Sequence, residues 1–116
     1  MSKSHEAFWW SLFSVGGVLA ALFIPGIVIV TGFLLPTADA EAAAEHQVQI
    51  TGIISWWPVR ALLFVVIFLT FFHCAHRVRH TLMDVGLRRL ERPLMAVCYL
   101  GALAGTVAAV VVLVGV

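Results

Sequence analysis

Three long stretches without charged residues constrain the fold of this chain more than any other feature. No Asp, Glu, Lys or Arg lies between Glu6 and Asp39, between Arg60 and Arg77, or after Arg92. About 20 predominantly apolar residues cross a bilayer as one helix, and a lipid-exposed helix satisfies its own backbone hydrogen bonds. The chain is therefore predicted to be an all-α membrane protein with three transmembrane helices. The predicted spans are about 8–35, 57–80 and 93–114.

The composition supports a single membrane domain over residues 1–116. Hydrophobic residues make up 62% of the chain and charged residues 11%, and the mean hydropathy is +1.05, whereas soluble domains carry about 25% charged residues. The uncharged stretch from Ala7 to Leu35 is too long for the apolar core of a secretory signal, which covers about 7–15 residues. We therefore expect it to be a retained helix, with Pro25 as the natural position for a kink.

Basic residues indicate the orientation of the spans. The first loop holds Asp39, Glu41 and Glu45 but no Lys or Arg. Lys and Arg are retained on the cytoplasmic side of a membrane. The amino terminus and the second loop are therefore predicted to be cytoplasmic, and the first loop and the carboxyl terminus to face outward. The arginines at or after the end of span two are Arg77, Arg79, Arg88, Arg89 and Arg92.

The end of span two carries an unusual polar face in the sequence "HCAHRVRH". At about 100° per residue, His73, Arg77, His80 and Asp84 lie in one sector of the helix, with His76 on its flank. Snorkelling stop-transfer charges explain Arg79 and the arginines of the second loop. They explain His73 and Arg77 less well, because His73 lies a turn deeper than a stop signal requires.

The amino-terminal sequence "EAFWWSLFSVGG" enters the membrane on the same predicted side. Trp9 and Trp10 either anchor the chain in the interface or take part in a binding site with Arg77. A quinone suits such a site, since its carbonyl oxygens accept hydrogen bonds and a guanidinium stabilises the negative charge that develops on reduction. Nearby histidines could transfer the protons.

These residues resemble the D-subunit family of the bacterial quinol:fumarate reductases. The resemblance rests on "FWWSLFSVGG", on Arg60 at the head of span two, and on "HRVRHTLMD". It implies a non-catalytic, multi-pass anchor subunit in the bacterial cytoplasmic (inner) membrane. The implied partners are a second hydrophobic anchor subunit (C), an iron–sulphur subunit (B) and a flavoprotein subunit (A), with no nucleic acid.

By position, the resemblance implies that Trp10 and Arg77 bind menaquinone and that His76 and His80 are further residues of that site. Trp9 leaves the tryptophan assignment uncertain by one residue, and His73 is not part of the family pattern. Related succinate dehydrogenase anchors hold haem b between histidines of two subunits, so His73 is a possible haem ligand. The direction of the reaction depends on the quinone potential and on the catalytic subunits.

Other functions remain open at this level. A haem b-binding anchor of a succinate:quinone oxidoreductase is one, and a purely structural anchor is another. A small proton-coupled transporter would normally carry an intramembrane Asp or Glu, and the predicted spans hold none. Cys74 and Cys98 lack metal-site spacing and are interpreted as small buried residues, so no metal is expected. The small residues that predict close helix contacts are Gly16 with Ala20, Gly17 with Ala21, and Gly101 with Gly105.

Overall fold

The computed structural model describes residues 3–36 and 39–116, with side chains from residue 5 onward. Thr37 and Ala38, in the predicted first loop, lie outside the described residues. The described part is helical and contains no strand, so the predicted all-α class is confirmed there. The helices are α1 (Lys3–Ile29, continued by a π-helical turn Val30–Leu34), α2 (Ala40–Ser55), α3 (Trp57–Leu82) and α4 (Glu91–Gly115).

Two continuous helical stretches are long and apolar enough to cross a membrane, His5–Leu34 and Trp57–Gly115. Large apolar side chains along both are exposed, including Leu22 at 69% and Val111 at 66%. Soluble proteins bury such a face, whereas helices surrounded by lipid present it outward. The exposed surface of the two stretches therefore suits a membrane protein.

The second stretch folds back on itself between α3 and α4. Helix α3 ends in a π-helical turn, Met83–Leu87, and a 3₁₀ turn, Arg88–Leu90, precedes α4. Gly86 has a φ of 117°, which favours glycine because other residues rarely adopt it. Helix α4 then runs back along α3, so that Phe71 of α3 meets Gly105 of α4. The bundle measures 54 × 29 × 24 Å.

Helix α2 occupies most of the predicted first loop. The Asp39 side chain accepts a hydrogen bond from the Glu41 N–H at 3.0 Å, which caps the first turn. Alanines and glutamates then favour helix. The chain leaves the helix at Trp56, where ψ is 122°, and Pro58 lies in the first turn of α3, a position that tolerates proline because its missing N–H has no partner there.

Helix α1 packs closely on α3 through two adjacent glycines. A Cβ added to Gly16 would lie 2.5 Å from the Leu69 carbonyl oxygen, and one added to Gly17 would lie 2.6 Å from Cε1 of His73. The predicted close contact at these glycines is therefore present. On α4, Gly105 packs on a neighbouring ring, whereas Gly101 has nothing within 4 Å. The buried residues of the described chain are Gly16, Val66, Leu69, Ala75, Ala102 and Thr106.

We expect Gly16→Ala to destabilise the protein by about 1–3 kcal/mol, because backbone atoms of α3 must move to admit the methyl group. Chemical unfolding of the purified protein in detergent, followed by tryptophan fluorescence, measures the change. Gly26→Ala is the matched control, since nothing lies within 4 Å of an added Cβ there. Equal stability of the two variants would contradict the close contact of α1 with α3.

Candidate functional site

His76 lies at the centre of an aromatic cluster formed by three helices. Its ring stacks on Phe13 of α1 with centroids 4.2 Å apart and meets the ring of Trp10 edge-on at 6.3 Å. His80, one turn later on α3, lies 4.4 Å away. The Nδ1 atom of His76 lies 3.4 Å from the hydroxyl of Tyr99 on α4. Helices α1 and α4 thus hold this imidazole from both sides.

Two neighbouring clefts share this cluster. We call them the larger cleft, of about 550 Å³, and the smaller cleft, of about 240 Å³. Both are lined by His76, which therefore stands at the boundary between them. The larger cleft is lined by Glu6, Trp9, Trp10, Phe13, His76, Arg79, His80 and Tyr99. The smaller cleft is lined by Trp10, Phe13, Ser14, His73, His76, Arg77 and His80.

The structure brings the four residues of the predicted quinone site together. Trp10, Arg77, His76 and His80 all line the smaller cleft. Arg77 and His80 are exposed and His76 is half-buried, so the cleft opens on the surface of the chain. Trp9 lines only the larger cleft. The geometry therefore favours Trp10 over Trp9 as the partner of Arg77, while the role of these residues in binding stays a prediction.

Arg79 has a more specific environment than that of a stop-transfer charge. Its side chain is only 17% exposed, and Nη2 donates to Oε1 of Glu91 at 2.8 Å. The pair joins the end of α3 to the start of α4 beside the larger cleft. Because Glu91 is 57% exposed, solvent screens the pair and it contributes less than about 1 kcal/mol. Helical periodicity could not reveal this contact, since the two residues belong to different helices.

Sequence reasoning missed Tyr99 and Phe13 as residues of the site. Tyr99 is the only tyrosine of the chain, and its hydroxyl lies within an otherwise apolar part of α4. Phe13 provides the ring on which His76 stacks. A lone tyrosine in an apolar helix was the one available signal, because a buried hydroxyl normally has a hydrogen-bonding partner.

His73, the unexplained histidine of the sequence, packs between α3 and α1. Its Nδ1–H donates to the Phe13 carbonyl oxygen at 2.6 Å, and its ring lies against Gly17. The imidazole itself fills the space between the two helices, so no macrocycle fits there. A haem on His73 would have to be held outside this helix pair, against a partner chain, and that possibility stays a prediction.

The residues that the structure describes form neither a metal site nor a disulfide bond. No group of three or more His, Cys, Asp or Glu side chains that could hold a metal ion occurs in these ranges. Cys74 is a free, exposed thiol and Cys98 a free, partly exposed one. The interpretation of both cysteines as buried was thus wrong, since both line an open groove between α3 and α4.

Long apolar helices exposed along their length, with clefts lined by histidine and arginine near one end, are typical of an integral membrane protein. A family model that describes the D subunit of fumarate reductase matches residues 1–114. The chain belongs to this fumarate reductase D-subunit family. The corresponding protein of Aliivibrio fischeri is 29% identical over 111 residues, covering 94% of this chain and 90% of that protein. That of Mycobacterium tuberculosis is 32% identical over 109 residues, covering 92% and 85%.

The family confirms the resemblance seen in the sequence. The chain is a membrane-anchor subunit of fumarate reductase and acts within a complex with other subunits. No solved structure matches the chain.

We expect Gly17→Ala to destabilise the protein by about 1–3 kcal/mol, because the new methyl group meets the His73 ring. In a His73→Ala background the same substitution should cost little, since the ring is gone. A double-mutant cycle on unfolding free energies measures this coupling. Similar costs of Gly17→Ala in both backgrounds would contradict the packing of His73 on Gly17.

Proposed function

We propose that the anchor crosses the bacterial cytoplasmic membrane three times, through α1, α3 and α4. The amino terminus and the α3–α4 turn then face the cytoplasm, and α2 and the carboxyl terminus face outward. Two observations support this topology. The turn at Gly86 folds α4 back along α3. Six of the seven Lys and Arg residues fall at the amino terminus or in residues 77–92, as expected for a cytoplasmic end.

The cytoplasmic end is also where we propose that the anchor meets the other subunits. The partners are the iron–sulphur subunit, the flavoprotein subunit and a second hydrophobic anchor. Arg88 and Arg89 are exposed in the α3–α4 turn at this end, near the clefts between α1, α3 and α4. A soluble partner bound there would cover the open side of the smaller cleft and bring its redox centre near that cleft.

We propose that the smaller cleft is the part of a menaquinol site that this chain contributes. The observation that carries the proposal is the meeting of Trp10, Arg77, His76 and His80 at one cleft. Menaquinol, when bound, supplies electrons to the partner iron–sulphur subunit and releases protons. The indole N–H of Trp10 and the guanidinium of Arg77 donate hydrogen bonds to its oxygens, and the charge of Arg77 stabilises developing negative charge.

The paired histidines provide a route for the released protons. His76 is half-buried beside the cleft and His80 is exposed, and their rings are 4.4 Å apart. Imidazoles gain and lose protons near neutral pH, so a proton taken up at His76 can leave through His80. Phe13 and Tyr99 hold the His76 ring in place for this transfer.

We expect Arg77→Gln to lower quinol-coupled fumarate reduction roughly 10- to 100-fold, because a charge-assisted hydrogen bond contributes about 1.5–3 kcal/mol. Fumarate reduction driven by an artificial donor to the soluble subunits should be unchanged. Steady-state assays of the purified complex measure both rates. Arg92→Gln, in the first turn of α4 and outside both clefts, is the control and should leave both rates at wild-type values.

The tryptophans provide an independent comparison. Trp10→Phe should lower quinol-coupled turnover, because the ring keeps its contact with His76 but loses its N–H donor. Trp9→Phe should have a much smaller effect, since Trp9 lies outside the smaller cleft. Unchanged turnover in both Trp10→Phe and Arg77→Gln, in an assembled complex, would favour a purely structural anchor. Loss of the artificial-donor activity as well would indicate failed assembly.

We expect the purified complex to show no haem b band in a reduced-minus-oxidised absorption spectrum, because the Nε2 side of the His73 ring packs against Gly17 of α1. A haem b band that disappears in His73→Ala would contradict this expectation. The chain would then be a haem-binding anchor of the succinate:quinone oxidoreductase type.

A further inference from the structure

Arg60 lies apart from every other basic residue of the chain. The remaining six Lys and Arg residues are at the amino terminus or in residues 77–92, whereas Arg60 lies in the first turn of α3, at the opposite end of the bundle. Its Nε–H donates to the Ile54 carbonyl oxygen at 3.2 Å. This bond holds the guanidinium across the junction of α2 and α3.

Within residues 3–36 and 39–116, no carboxylate forms an ion pair with Arg60. The ion pair in this part of the chain is that of Arg79 with Glu91. Glu45 of α2 instead accepts a hydrogen bond from Gln49 at 3.2 Å. The Nε of Arg60 has its acceptor, and its two terminal nitrogens have no hydrogen-bond partner in this part of the chain. A charge beside a bilayer is costly unless it is paired, so an external anion is expected.

An apolar groove of about 350 Å³ begins at Arg60. It lies between the amino-terminal turns of α3 and the carboxyl-terminal turns of α4. Trp56 and Trp57 flank this end of α3 and are 63% and 75% exposed, as expected for side chains at the depth of lipid headgroups. The lining residues are Arg60, Ala61, Phe64, Val110, Leu113 and Val114.

We propose that this groove binds an anionic phospholipid. Arg60 donates hydrogen bonds to the phosphate, for which a guanidinium is well suited, and an acyl chain lies along Phe64 and Val110. A phospholipid matches both features, a single cation at headgroup depth and an apolar groove leading from it. An anionic headgroup is favoured over phosphatidylcholine, because no carboxylate of the described residues lies within ion-pair distance of Arg60.

The proposal is tested on the assembled complex in nanodiscs that contain equal amounts of phosphatidylglycerol and phosphatidylcholine. Native mass spectrometry of the released complex measures the ratio of the two lipids that stay bound. We expect Arg60→Gln to lower the retained phosphatidylglycerol about tenfold, and Arg60→Lys to lower it less, since lysine keeps the charge but loses the bidentate geometry. Arg92→Gln, at the opposite end of the bundle, is the control and should leave the ratio unchanged.

A second variant separates the groove from the charge. Val110→Trp should fill the groove, because Val110 is 40% exposed, and should lower phosphatidylglycerol retention while Arg60 is present. It also provides the test if Arg60→Gln fails to assemble.

Unchanged phosphatidylglycerol retention in either variant overturns the proposal, as does an Arg60→Gln complex that loses its second anchor subunit without losing lipid. That last result would indicate that Arg60 forms an ion pair with a carboxylate of the second anchor subunit. Quinol turnover reports on the other end of the bundle, so failure of either proposal leaves the other standing.

Discussion

The contact of α1 with α3 at Gly16 and Gly17 is the interaction on which the rest of the structure depends. Lipid gives apolar helices no hydrophobic reason to associate, so close packing and interhelical hydrogen bonds must hold them. The missing side chain at Gly16 admits the Leu69 carbonyl, and Gly17 admits the His73 ring, whose Nδ1–H bonds to the Phe13 carbonyl. These contacts fix the position of α1 along the axis of α3, so that the amino-terminal part of α1 lies beside the carboxyl-terminal part of α3.

The aromatic cluster around His76 follows from this relative position of α1 and α3. Phe13 lies one turn before Gly17 and Trp10 nearly one turn earlier, so both rings reach His76. The other side of the cluster depends on the turn at Gly86, because that turn brings Tyr99 of α4 back beside α3. A site of two clefts thus arises from three helices that together contribute its side chains.

The arginines at the two ends of the bundle have different partners. At the end with the clefts, Arg79 is neutralised by Glu91, while Arg77 is exposed beside the smaller cleft. At the opposite end, Arg60 has a carbonyl partner but no carboxylate in the described residues. Because an uncompensated charge near lipid is costly, Arg77 and Arg60 are the two positions at which we propose that a ligand from outside this chain binds.

The sequence by itself determined the membrane class, the long apolar helices α1, α3 and α4 and the polar face of span two. Uncharged length and helical periodicity are properties of a single segment, and they place His76, Arg77 and His80 near one end of α3. Helices extend beyond the predicted spans, as α3 does to Leu82, because backbone hydrogen bonding continues through polar residues outside lipid. Only the tertiary structure decided that His73 is a packing residue, that Tyr99 joins the site and that Arg79 pairs with Glu91. Those outcomes depend on which residue of another helix lies opposite, and contacts such as that of Phe13 with His73 join positions 60 residues apart.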